Sequence, residues 1–130
     1  MFKEMSQETQ ELIVESLNSV VTRLTCFNGD IAVLMGDSAE PFQGINDSVT
    51  DGLENVIELF TEDGHVIDEL TAYVKMVVLK ALNERINHLE TSMSYFLQFG
   101  EALPIDKVVV AFEGKVKALY GAQMEFLSAV

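Results

Sequence analysis

Residues His65–Phe99, HVIDELTAYVKMVVLKALNERINHLETSMSYFLQF, contain no Pro and no internal Gly, and Gly64 and Gly100 bracket them. That punctuation predicts one long helix, or two nearly collinear ones. A continuous helix of this length would span roughly 50 Å, longer than a compact domain of this size needs. Its apolar residues fall into two stripes. Leu70, Val74, Val77 and Ala81 form the first. Leu79, Leu82, Ile86, Leu89, Met93 and Phe96 form the second, stepping by threes and fours like a heptad seam. The stripes are centred roughly 120° apart on a helical wheel. Where they overlap, Met76-Val77-Val78-Leu79 is apolar nearly all round and is expected to be buried on every side. Two arrangements satisfy such a helix. It is kinked or touches several helices of one bundle. Otherwise its front half packs inside its own chain while Leu79, Leu82, Ile86, Leu89, Met93 and Phe96 form the interface of a homo-oligomer.

Working toward the N-terminus, Asn46–Glu62 predicts a helix capped by Asn46 or Asp47, with Val49, Leu53, Val56 and Phe60 on its buried face. Asp47, Asp51, Glu54, Glu58 and Glu62 run along the opposite face. Like charges four apart cost a few tenths of a kcal/mol per pair, and hardly a cation compensates them. Gly36–Ile45, GDSAEPFQGI, predicts a loop carrying Phe42 beside Pro41 as a possible partner anchor. Ser6–Phe27 predicts the first helix, with Ser6 as N-cap and Ile13, Leu17, Val20, Leu24 and Phe27 along one face. Glu4, Glu8, Glu11 and Glu15 form an acidic spine opposite. Asn28-Gly29 is expected to stop this helix, though the same dipeptide between Thr22–Phe27 and Asp30–Met35 is also a hairpin signal.

Toward the C-terminus, Glu101–Asp106 is a short connection broken by Pro104. Val109, Phe112, Val116, Leu119, Phe126 and Val130 then follow heptad spacing. Gly114 and Gly121 share a face, which invites close approach of another backbone. The rival is a hairpin around Glu113-Gly114, favoured by the β-branched Val108-Val109-Val110. The expected class is therefore all-α, a four- to five-helix bundle with one long central helix in a single domain, 1–130. The alternative is α+β with hairpins near 22–35 and 108–120.

Bulk composition narrows function. With 130 residues and 48% apolar composition, one core is expected and a disordered acidic tail is not. No apolar run approaches the ~20 residues of a membrane span, and MFKEMSQETQ has no apolar signal core. Cys26 is the one cysteine, which suits a reducing, cytoplasmic setting. Twenty-one acids against eight Lys and Arg give a net charge of −13. Direct nucleic-acid binding and anionic membrane surfaces are disfavoured, and a basic protein surface becomes the expected partner.

Chemistry is not signalled. Phosphate-loop, nucleophile-elbow, zincin, C-x-x-C and EF-hand patterns are all missing from the sequence. Glu84 and His88 are four apart, and Glu62-x-x-His65 has di-iron spacing, but neither pair completes a ligand set. We expect no metal, no cofactor and no catalytic residue. Cys26 is expected to be a buried, inert thiol, and the six methionines to fill gaps in a core.

The expected function is that of a non-enzymatic acidic helical interaction protein binding a basic or amphipathic surface. Glu4, Glu8, Glu11, Glu15, Asp47, Asp51, Glu54, Glu58 and Phe42 are the candidate contact residues. An inhibitor, a nucleic-acid mimic and a chaperone are forms of this activity. The alternative is a bundle holding a small ligand between helices or at a subunit interface.

Overall fold

A computed structural model describes residues 5–61, 71–99 and 105–129, and every regular element among them is helical. Helix α1 spans Gln7–Met35, a 3₁₀ turn Gly36–Ala39, α2 Glu40–Thr61, α3 Ala72–Phe99 and α4 Ile105–Ala129. The all-α expectation holds. Both proposed hairpins are excluded, because 22–35 lies inside α1 and 108–120 inside α4. Glu4, Glu62, His65, Leu70, Val130 and the connections around Gly64 and Pro104 lie outside the described residues.

Ser6 caps α1 as expected, its hydroxyl accepting from the Thr9 backbone N–H at 3.2 Å. The expected stop at Asn28-Gly29 is overturned. Asn28 is held across the α1–α2 contact instead. Its Nδ2 donates to Asp47 Oδ1 at 3.0 Å, its Oδ1 accepts from Asn46 Nδ2 at 2.9 Å, and its carbonyl accepts from Gln43 Nε2 at 3.0 Å. These bonds offset the roughly 1 kcal/mol that Gly29 costs a helix. α1 ends at Gly36, whose φ of 54° a side chain would strain.

The expected loop 36–45 is likewise overturned. The chain makes one 3₁₀ turn and enters α2 at Glu40, so Asn46 and Asp47 sit within the helix rather than capping it. Pro41 does not break it, since in a first turn its missing N–H has no intrahelical partner to lose.

Nor is α3, the described part of the expected central helix, the element with the most extensive contacts. α1 packs against α2, α3 and α4, whereas the main contacts of α3 are with α4 and α1. Thr71 begins α3, its hydroxyl accepting from the Val74 N–H at 3.2 Å. α4 runs antiparallel to α3, as Gln123–Asn83 and Tyr120–Glu90 contacts show, and antiparallel to α1, as Thr9–Glu125 and Glu15–Lys115 contacts show.

The core lies at one end of the bundle. It takes Ile13 and Leu17 from α1, Leu53, Val56 and Phe60 from α2, Val74, Val78, Leu82 and Ile86 from α3, and Leu119, Ala122 and Phe126 from α4. Each fully buried large side chain there contributes about 1.5–3 kcal/mol. These residues occupy the first halves of α1 and α3 and the last halves of α2 and α4. Toward the other end burial falls away, apart from Ile31 and Ala39 beside the α1–α2 turn.

Three further expectations fail on packing. Met76 is 59% exposed, so the overlap of the two stripes is not buried all round: Val78 is in the core, with Val77 and Leu79 partly buried against it. A Cβ at Gly114 or Gly121 would meet open space, so no backbone approaches either. Leu82 and Ile86, expected at an oligomer interface, lie in this chain's own core, because the second stripe faces α1 and α4. Leu79 and Leu89 are partly buried against that core, and Met93 and Phe96 are half-buried beyond it.

Candidate interaction surface

The sequence-predicted acids separate into two unlike groups. On α1, Glu8 and Glu11 are exposed, but Glu15 is not a free carboxylate. Its Oε2 lies 2.8 Å from Lys115 Nζ of α4, and its Oε1 lies 3.9 Å from Arg85 Nη2 of α3. Glu8, Glu11, Leu12, Glu15 and Lys115 line a shallow α1–α4 groove of about 370 Å³. This half of the predicted surface is partly neutralised, and Glu15 serves the fold. Its spacing from Glu11 gave no sign of this, because Lys115 is distant in sequence.

The acids of α2 stand apart. Asp51, Glu54 and Glu58 are exposed, and no ion pair engages them among the described residues. Asp47 is exposed too, with one oxygen accepting from Asn28. By helical spacing these four lie opposite the Leu53–Val56–Phe60 face that packs into the core. No Lys or Arg occurs between Arg23 and Lys75. Arg23, at that boundary, donates to Glu84 Oε1 of α3 at 2.8 Å.

On the side of α2 away from these acids lies an apolar surface that sequence reasoning named only at Phe42. On α1, Phe27 and Leu34 lie to one side of the line that runs from Ile13 to the buried Ile31, and the α2 stripe runs back from Leu53 through Val49, Ile45 and Phe42. Phe27, Leu34, Phe42, Ile45 and Val49 are exposed. The signal was present in both helical spacings, but an assumed loop at 36–45 and a stop at Asn28 cut each stripe short.

Elsewhere, the Glu125 carboxylate of α4 closes over the start of α1. It accepts from the Ser6 backbone N–H, from the Thr9 hydroxyl at 2.6 Å and from the Ser6 hydroxyl at 3.0 Å. The Ser6 backbone bond first, then the Thr9 bond, hold its pKa below the usual carboxylate range. His88 is depressed by loss of surrounding water, although its side chain reaches solvent, and then by the Arg23 and Arg85 charges, against the opposing pull of Glu84. Glu84 is thus committed to Arg23, and no group of three or more potential metal ligands occurs among the described residues.

An open groove of about 500 Å³ between α3 and α4 is lined by Glu90, Met93, Glu113, Val116, Lys117 and Tyr120. Tyr120 donates to Glu90 at 3.2 Å, which raises its pKa. Cys26 is exposed, not buried as expected, because α1 turns that position away from the other helices. Of the methionines, Met5 fills the core, whereas Met35, Met76 and Met124 are exposed. No helix among the described residues is long and apolar enough to cross a membrane. No protein-family model matches the chain, and no curated protein or solved structure matches it.

Proposed function

We propose that this protein is a non-enzymatic interaction protein whose α2 helix meets a basic or amphipathic surface on another macromolecule in a reducing, cytoplasmic setting. The observation that supports this reading is the row Asp47, Asp51, Glu54 and Glu58, exposed along one face with no cation between Arg23 and Lys75. Such a row repels itself, and a cationic partner relieves that repulsion. Carboxylates in a line on a rigid helix also suit the imitation of a phosphate row, which would make the protein an inhibitor of a nucleic-acid-binding partner without binding nucleic acid itself. One subunit is taken as the binding unit, since Leu82 and Ile86 are consumed by the core.

The test measures binding of cationic proteins to the wild type and to an Asp51→Lys, Glu54→Lys, Glu58→Lys variant, at low and high salt. Binding is expected to weaken in the variant and as salt rises. Binding indifferent to both sinks the electrostatic reading. A second reading, a small ligand in the α3–α4 groove, is favoured by the half-buried Met93 and Val116 beside the polar pair Tyr120–Glu90. A ligand that raises the melting temperature of the wild type but not of a Met93→Glu variant would establish it.

A further inference from the structure

We propose that the outer end of the α1–α2 hairpin is a docking groove for a basic amphipathic helix; this rests on the interaction reading above and gives it a place. Two helices carry large apolar residues left uncovered at this end. On α2, Leu53, Val56 and Phe60 are buried, while Phe42, Ile45 and Val49, on the same face, are 49%, 62% and 47% exposed. On α1, Ile13 and Leu17 are fully buried and Ile31, five turns beyond Ile13, is buried too, while Phe27 and Leu34, to one side of that line, are 54% and 82% exposed. The hairpin is not loose at this end. Asn28 ties α1 to α2 through Gln43, Asn46 and Asp47, and Ile31 and Ala39 are buried beside the turn. The exposed apolar residues of the two helices are therefore held at one end of the hairpin by a built contact.

Charge decides the occupant. Asp30 adjoins the exposed α1 residues, and Asp37 and Glu40 sit at the turn. No Lys or Arg lies in this hairpin beyond Arg23. A second copy placed symmetrically on this groove would bring these carboxylates against their own equivalents. A helix with an apolar face and Lys or Arg on its flanks covers the same apolar area and meets the carboxylates with opposite charge. Each exposed set runs about two helical turns, so a helix of about 14 residues, ~20 Å long, covers it with a margin.

The experiment uses the full chain and a fluorescent Leu/Lys amphipathic peptide of about 14 residues, with a Leu/Glu peptide of the same apolar spacing as counterpart. The Leu/Lys peptide is expected to bind with an affinity that falls as salt rises, and the Leu/Glu peptide not to bind. Ile45→Lys should weaken binding at least about tenfold, equivalent to roughly 1.4 kcal/mol, while Ile45→Leu retains it. Ile45 is exposed, so an unchanged circular-dichroism melt shows that both variants are folded. Peptide binding that survives Ile45→Lys but is lost in the Asp51→Lys, Glu54→Lys, Glu58→Lys variant overturns this groove and leaves the interaction reading standing. Equal binding of the Leu/Glu peptide overturns the charge argument. Failure of the wild type to bind the Leu/Lys peptide overturns the groove, and the interaction reading falls with it only if cationic proteins are not bound either. Sedimentation of the wild type as a dimer that Ile45→Lys dissociates shows a second copy in the groove and overturns the proposal.

Discussion

Two glycines in one helix have opposite roles. Gly36 ends α1 with φ at 54°, a conformation that costs a side chain about 1–3 kcal/mol. Gly36→Ala is expected to lower unfolding free energy by that amount in a urea titration. Gly29 lies inside the helix with open space around its missing Cβ, so Gly29→Ala should stabilise by up to about 1 kcal/mol. Glu125 and His88 set the pH response. Both have folded pKa values below their usual ones, so the unfolded chain binds more protons and stability rises with pH. The His88 contribution should fade as pH drops below about 6.5, and the Glu125 contribution below about 4.3, as each passes through its lowered folded value. Melting temperature followed against pH in His88→Asn and Glu125→Gln should show each limb flattened separately. A Glu125→Gln profile that keeps the wild-type acid limb would contradict the helix-start contact.

At the scale of the element, α1 and α2 each carry apolar residues with two fates. On α1, Leu17 is fully buried and Leu34, near the other end of the helix and to one side, is 82% exposed. Leu17→Ala is expected to cost about 2–5 kcal/mol and Leu34→Ala no more than about 0.5. Equal costs in denaturant would mean that the α1 end is covered in solution. The helix boundaries explain why this was only partly legible. Ser6 announced the start of α1 correctly, because a cap acts within one turn. Asn28-Gly29 and Pro41 misled, because their preferences are worth about 1 kcal/mol or depend on position. Asn28 is held by three bonds across to α2, and Pro41 falls in a first turn.

For the whole molecule, one end is a four-helix core and the other an acidic, apolar-faced hairpin. Amide exchange should follow this gradient: slowest where Ile13, Leu17, Val78, Leu82, Leu119 and Phe126 meet, and faster through 33–49. Light scattering is expected to give the mass of one chain, 14.4 kDa, since the middle of the second α3 stripe faces inward and the hairpin repels its own kind. A stable dimer would return the exposed stripes, rather than Leu82 and Ile86, to the interface.

The sequence by itself pointed to a mainly helical chain, with 22–35 and 108–120 left open between helix and hairpin, and showed where the apolar faces lie and that α2 is acidic along the opposite face. These are local properties, fixed by spacing along one helix. Only the tertiary structure decided how far each stripe is covered, that α1 rather than α3 makes the most extensive contacts with the other helices, and that Glu15 is paired with Lys115 while Asp51, Glu54 and Glu58 are in no ion pair among the described residues. Those outcomes depend on which helices are neighbours and on where along their length they meet. A stripe looks the same in sequence whether its partner helix lies against it or stops a few turns short.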